Sequence, residues 1–468
     1  MNDAPQLKPN CLHFKELLAQ NIALISPTMT AALIVPLMFS NTGNISWLSY
    51  AVGTVMLLFV AFNLNQFAKR STNSGSMYSY ASAGLGFGGG SMCGWCLVWA
   101  YLFIGLAGTT GFTIFANKLL GMVHLSLPPV LLFAICLGTS FVMAYKDIKI
   151  STLVMLGLEA FSVFFITVLC FIVLGHHHFA IDTAQFSMKG VSFLSLGMGV
   201  VVAIFSLVGF ESSTAFGEES VNPLKTIPRS ITWSLLITGA FFIFVTYVEV
   251  LGVRGYKDSL DKIDAPLNVL STMYNVPFLS PILSAGAMFS FFALASSCMN
   301  AGARVMFAMG RHNFFHEATS SAHEKHGTPH VALAVMTAVM FVVVTFCKYA
   351  FKMDVLDAFN DAGTMGAFGF LGAYFLITLA APVYLKKLNE LKAKDIGLCV
   401  AAIILMVIPA VGSIYPIPDP PVKYFPYIFL VYLVVGVVRV LSVRPTRVKE
   451  IRAQIHADHI SGILPAAE

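Results

Sequence analysis

Long apolar runs, each bounded by a short polar stretch, recur about a dozen times along the chain. The segment from Ser91 to Asn117 covers 27 residues without an Asp, Glu, Lys or Arg. A helix of about 20 apolar residues crosses the hydrocarbon core of a bilayer. One such run could be the core helix of a soluble protein; a dozen cannot. The pattern predicts spans near 21–39, 46–67, 91–116, 128–145, 150–174, 192–217, 229–252, 278–309, 331–348, 356–380, 396–414 and 424–442. The expected fold is all-α and polytopic, with 12 transmembrane helices. Residues 1–20 are polar and carry no short apolar run followed by a small-residue cleavage site, so no signal peptide is expected.

Composition agrees with this reading. The chain is 57% hydrophobic and 11% charged, against about 25% charged in soluble domains. With the N-terminus placed in the cytoplasm, 20 of the 28 Lys and Arg residues fall on the inner side. That bias predicts cytoplasmic termini in a cell (inner) membrane. It also explains the net charge of +5; no clustered basic face suggests nucleic acid. Of the eight cysteines, seven fall inside spans. Cys93 and Cys96 have redox or zinc spacing but no partner pair, and read as small packing residues. The histidines at 176–178, and His312, His316, His323, His326 and His330, lie in loops without cysteine companions, so no metal site is assigned. The sequon at Asn44 sits against the membrane and is read as incidental.

Two spans are interrupted. Span one contains Ile25-Ser26-Pro27-Thr28-Met29-Thr30, where Pro27 cannot donate a backbone hydrogen bond. Span six contains Ser206-Leu207-Val208-Gly209-Phe210-Glu211, with a glycine and an acid at membrane depth. The breaks lie 180 residues apart. Broken spans at matching positions of two halves point to an inverted-repeat transporter. Spans one to five (21–174) and six to ten (192–380) would form the two halves, a 5+5 inverted repeat. Two additional C-terminal helices (396–442) and a cytoplasmic tail (443–468) would lie outside it. Half-helix N-termini at such breaks favour an anionic group such as a carboxylate.

At these residues the chain resembles the amino acid–polyamine–organocation permeases, whose fold is LeuT-type. The resemblance is carried by Phe205-Ser-Leu-Val-Gly-Phe-Glu211, Gly217-Glu-Glu-Ser-Val-Asn-Pro and Ile227-Pro-Arg229. Ser74-Gly-Ser-Met-Tyr-Ser-Tyr80, Gly94-Trp95, Asn300 to Arg304, Ala308-Met-Gly-Arg311 and Thr328-Pro-His330 add to it, in the family's order. Span one departs from the pattern: Ser26-Pro27-Thr28-Met29 stands where many members have a Gly-x-Gly unwinding. The lysine that some proton-coupled members carry in span five has no clear counterpart; the mid-span ionisable group is Glu159.

The resemblance implies a substrate floor of Ser26, Thr28 and Met29 facing Phe205, Ser206, Leu207 and Gly209, around helix breaks at Pro27 and Gly209. Met29, Phe205 and Leu207 offer no charge, so the side-chain pocket reads as apolar or small. Trp99 and Tyr101 could line it or simply pack. An acid inside a membrane span is a functional candidate by default. Glu159 is a candidate for proton coupling, or else a carboxyl facing polar neighbours. Glu211 is either functional or an acceptor that holds the unwound backbone. Ser296 and Ser297 could lend hydroxyls to a sodium ion or merely permit close helix packing. Glu218 and Glu219 close span six, where acids oppose the helix dipole. Basic partners are therefore expected, with Arg229, Arg304 and Arg70 as candidates and Glu218, Glu219, Arg229 and Arg304 as an inner gate.

The reading is a secondary active transporter that moves amino acids by alternating access, by proton coupling or exchange, with H+ or Na+ as coupling ion and no cofactor. The alternative is a polyamine or organic-cation carrier, with Glu159, Glu211 and Glu249 clustered at the pocket. A membrane-embedded enzyme is the remaining class. The chain has no His-Glu-x-x-His, P-loop or paired acidic metal motif to support it.

Overall fold

A computed structural model describes residues 7–72, 75–146, 148–188, 191–263, 265–415, 420–443, 448, 450 and 451. Ser74 of the motif before span three, and nearly all of the C-terminal tail expected at 443–468, lie outside the described residues. The described residues form helices and no strand, with one isolated parallel bridge between Leu12 and Ser220. Eleven helical stretches among them are long and apolar enough to cross a membrane. The chain is thus a multi-pass integral membrane protein.

The first stretch, Phe14–Ala68, is not one rod. Helix α1 (Phe14–Ile25) stops at Ser26, which adopts left-handed φ 53° and ψ 73°. The Ser26 amide closes the last turn on the Ile22 carbonyl, and Pro27 cannot continue the ladder. A new turn, α2 (Pro27–Met29), leads through a π-helical segment at Thr30–Ile34 into α3 (Val35–Thr42). Gly43, at φ 56°, ends that half before α4 (Ser46–Ala68) begins. The helix starts earlier than the expected 21 because polar residues take part in it. Glu16 accepts from the His13 amide at 3.0 Å, and Gln20 and Asn21 are buried and hydrogen-bonded.

The remaining helices are α5 (Ser76–Met122), divided by Gly86 at φ 80°, then α6 (Pro129–Lys146), α7 (Ile148–His176) and α8 (Phe193–Leu207). They continue as α9 (Pro223–Gly252), the short α10 (Pro266–Met273), α11 (Leu279–Arg311) and α12 (His330–Ala350). The last are α13 (Val355–Lys387), α14 (Ala393–Gly412) and α15 (Phe425–Leu441).

Helix α5 runs through the centre against α11 and α13. Small residues let these backbones approach, as membrane helices require when apolar burial alone gives no preference over lipid. A Cβ on Gly108 would sit 2.8 Å from the Ala295 nitrogen. One on Gly369 would sit 2.6 Å from the Cys96 carbonyl oxygen. The periphery shows the opposite pattern. On α12, Val335, Val339, Val342 and Phe346 form an exposed stripe at helical spacing, while Met336, Met340 and Val344 face inward. Exposed Val431, Val434, Val438 and Leu441 repeat this on α15. Apolar stripes of this extent suit lipid.

Candidate substrate site and gates

The break in the first stretch is held by side chains from α7 and α11. Ser26 Oγ lies 2.9 Å from Ser290 Oγ. The Thr28 amide donates to Glu159 Oε1 at 3.2 Å. Thr28 Oγ1 lies 3.1 Å from the same oxygen and 2.6 Å from Ser162 Oγ. A hydroxyl has one proton, so Thr28 donates to one of these neighbours and accepts or merely touches at the other. Glu159 is buried, and its Oε2 has no hydrogen-bond partner among the described residues. The carboxylate sits at the amino end of a helical stretch that continues to Thr42, where the backbone dipole favours negative charge.

The second break follows α8. Val208 is extended (φ −63°, ψ 153°), Gly209 takes φ 97°, and a 3-10 turn covers Ser212–Phe216. A Cβ on Gly209 would lie 1.9 Å from Leu24 Cδ2. This contact sets the second break directly against the end of α1. The Gly209 amide donates to Tyr374 Oη at 3.3 Å, and Tyr374 donates to Glu211 Oε2 at 2.6 Å. Tyr101 donates to Glu211 Oε1 at 3.2 Å. Both oxygens of Glu211 thus tie the unwound segment to α5 and α13. Asn21 joins the same segment to α1, accepting from the Ser213 amide at 2.7 Å and from the Ser212 hydroxyl at 3.1 Å.

Ser26, Thr28, Met29, Ser206 and Leu207 are fully buried, and Phe205 is nearly so. Ser206 Oγ lies 3.1 Å from Tyr50 Oη. Phe205 packs against Gly363 and Phe359. Phe359 meets Phe291 edge-on at 5.7 Å, and Phe291 stacks on Phe115 at 5.7 Å.

Ion pairs follow the second break in sequence. Arg304 donates to Glu219 through Nε at 2.5 Å and Nη2 at 2.8 Å. It also donates to the Asn300 carbonyl at 3.1 Å and lies 4.3 Å over the Phe216 ring. Both members of the pair are buried, at 1% and 0% side-chain exposure. Arg311 pairs with Glu218 at 2.9 and 3.2 Å, with both side chains a third exposed. Arg229, named with these acids on sequence grounds, is exposed and forms no ion pair among the described residues. Arg70 pairs with Glu390. The N-terminal segment is laced to the same place: Cys11 and Leu12 donate their amides to the Glu219 carbonyl at 2.9 Å, and Val221 donates to the Leu12 carbonyl.

The span-eight serines are engaged in helix contacts. Ser296 Oγ lies 2.6 Å from Ser140 Oγ, and Ser297 donates to the Gln20 carbonyl while Gln20 donates back to the Ser297 carbonyl. The hydroxyl of α11 that reaches the first break is Ser290. Trp99 donates to the Met365 carbonyl and packs beside Phe429 and Tyr432. Glu249 is buried on α9 with neither oxygen hydrogen-bonded among the described residues. Among the described residues, Glu159 and Glu211 share no hydrogen-bond partner. His323 lies between His326 and His330, with ring centroids 4.8 and 5.5 Å away. Even so, no group of three or more metal-ligating side chains among the described residues could hold an ion.

Two broken helices meeting in the buried middle of a multi-pass protein, with a buried ion pair close by in sequence, are the mark of a membrane transporter. The chain belongs to the amino acid permease family, whose model matches residues 17–447. That is a family of transporters, not of enzymes. Among its relatives, a branched-chain amino acid permease of Lactococcus lactis is 28% identical over 349 residues, 70% of this chain and 73% of the relative. Another of that description in Bacillus subtilis is 24% identical, over 74% of each chain. A low-affinity putrescine importer of Escherichia coli is also 24% identical, over 69% of this chain and 71% of the relative.

Proposed function

We propose that this protein carries amino acids with apolar or small side chains across the membrane by alternating access, coupled to protons through Glu159. The observation that carries the reading is the meeting of the two breaks: Leu24 against Gly209, with an unsatisfied buried carboxyl beside the first break. Ser26, Thr28 and Met29 face Phe205, Ser206, Leu207 and Gly209 across the site. Backbone amides there take the substrate carboxylate, and carbonyls take its ammonium. The lining supports an uncharged substrate side chain, as do relatives described as branched-chain amino acid permeases.

In this reading the first stretch counts as two spans, because Gly43 folds it back, giving twelve. The two breaks open two five-helix halves of inverted topology, and α14 and α15 stand outside them. The termini lie in the cytoplasm, following the Lys and Arg bias. The buried Glu219–Arg304 pair, with Glu218 and Arg311, then forms the inner gate, and the Phe205–Phe359–Phe291 rings form the outer one. Glu211 acts as the acceptor that fixes the second break.

The putrescine importer among the relatives keeps a second reading in view, since Glu159 and Glu249 form no ion pair among the described residues. Uptake into proteoliposomes, screened over amino acids and polyamines with proton and sodium gradients imposed separately, decides between them. Proton-driven uptake of neutral amino acids supports the proposal. Uptake of polyamines alone refutes it.

A further inference from the structure

The backbone amides at the first break are already spoken for. Ser26 N–H bonds the Ile22 carbonyl, Pro27 has none, and Met29 N–H turns back to the Ser26 carbonyl. Thr28 N–H is the amide there that points at a side chain, and that side chain is the Glu159 carboxyl. A substrate carboxylate arriving at this helix end therefore meets a carboxylate in its place. Two carboxylates at one amide repel, and in a buried site they cannot both stay ionised. Glu159 Oε2 is buried and has no hydrogen-bond partner among the described residues, so it is the oxygen open to a proton.

We propose that the Thr28 amide is exchanged between two carboxyl groups: Glu159 holds it in the empty carrier, and the substrate's α-carboxylate takes it once Glu159 has bound a proton. This rests on the amino acid reading above and deepens it, because it makes Glu159 the residue that ties proton binding to carboxylate recognition. The proton comes from water and adds to Oε2; no covalent bond of the chain changes. The protonated carboxyl is neutral, so it relinquishes the helix end to a charged competitor. As a carboxylic acid it keeps its proton on Oε2 and can donate a hydrogen bond from there to the bound substrate.

Among the described residues, no other titrating group bonds Glu159 or the Thr28 amide. The side chains facing Glu159 are the hydroxyls of Thr28, which also touches Ser162 Oγ, and of Ser290 on α11. Of the buried charged groups on the helices packed against α7, Glu16 on α1 bonds the His13 amide and Arg304 on α11 is paired with Glu219. Glu249 on α9 is buried with neither oxygen hydrogen-bonded among the described residues, so it shares no partner with Glu159.

The test is equilibrium binding to the full-length purified carrier across mildly acid to mildly alkaline pH. The probes are leucine and isoamylamine, which is leucine without its carboxylate. Leucine affinity should weaken by about tenfold per pH unit once Glu159 ionises, the slope of one linked proton; isoamylamine affinity should not. Glu159→Gln should flatten the leucine profile, and Thr28→Val, which keeps the amide, should preserve it. Equal pH profiles for leucine and isoamylamine in the unmodified carrier would overturn the proposal, whether or not the variants fold. So would a wild-type slope in a folded Glu159→Gln carrier. Failure of any amino acid to bind at any pH would instead remove the amino acid reading itself, and this proposal with it.

Discussion

Replacing Arg304 with Met would strand a carboxylate. Glu219 has no solvent exposure, and among the described residues its side chain is held by Arg304 through two charge-assisted bonds. Removing one partner of a buried pair costs about 3–5 kcal/mol when the other charge stays buried. At 1.4 kcal/mol per tenfold, that shifts the balance between closed and open inner faces by roughly a hundredfold to a few thousandfold. The protein can avoid the penalty by opening and wetting Glu219. The amides of Cys11 and Leu12, which bond the Glu219 carbonyl at 2.9 Å, would then lose protection. Hydrogen exchange read by mass spectrometry should show residues 9–14 and 216–222 exchanging at least about a hundredfold faster in Arg304→Met, by the same conversion. The double variant Arg304→Met, Glu219→Leu removes both charges and fills the space with apolar groups, a swap that is often neutral or stabilising. It should restore protection. Unchanged exchange in the single variant, or equal loss in the double one, would refute the claim that this pair keeps the inner face shut.

Other consequences are as direct. Gly209→Ala places a side chain at φ 97° and 1.9 Å from Leu24 Cδ2, combining backbone strain of about 1–3 kcal/mol with overpacking of similar size. Uptake should fall at least tenfold at equal amounts of membrane-inserted protein. Tyr374→Phe removes the donor to Glu211 Oε2 and the acceptor for the Gly209 amide, so thermal unfolding of the purified carrier should reveal a loss of about 1–3 kcal/mol. Ser297→Ala deletes only the bond to the Gln20 carbonyl, worth about 1 kcal/mol, and uptake measured with and without sodium should keep the same ratio as in the parent.

Much of this arrangement could be read from the residues before any coordinates. Charge-free runs located the helices, and Pro27 and the Val208-Gly209 step marked the breaks, because a missing amide and a positive φ leave local signatures. The partners at those breaks left none. Ser162 and Ser290 are single hydroxyls on apolar helices, indistinguishable in sequence from the many serines that bond their own backbone. Their role depends on the rotation and register of helices more than a hundred residues away. Ser296 and Ser297 are readable as ion ligands or as packing residues, and only the coordinates show their bonds to Ser140 and to the Gln20 carbonyl. Arg311 did have a signal. It lies seven residues after Arg304, two helical turns along the same face of α11, so an arginine that meets Glu219 places its successor near Glu218. Arg229, in the opening turns of α9, has no such geometric link. The early start of α1 was hidden because Glu16, Gln20 and Asn21 look like a polar tail until their buried partners are known.

The most direct test of the account is proton movement accompanying substrate. Proteoliposomes holding the carrier and a trapped pH-sensitive dye, with no membrane potential, should acidify inside when a neutral amino acid such as leucine is added outside. Glu159→Gln vesicles should take up or exchange leucine without that acidification. Amino acid entry with no change of internal pH in the unmodified carrier, or acidification undiminished in a transport-competent Glu159→Gln carrier, would contradict the coupling of proton and carboxylate at Thr28.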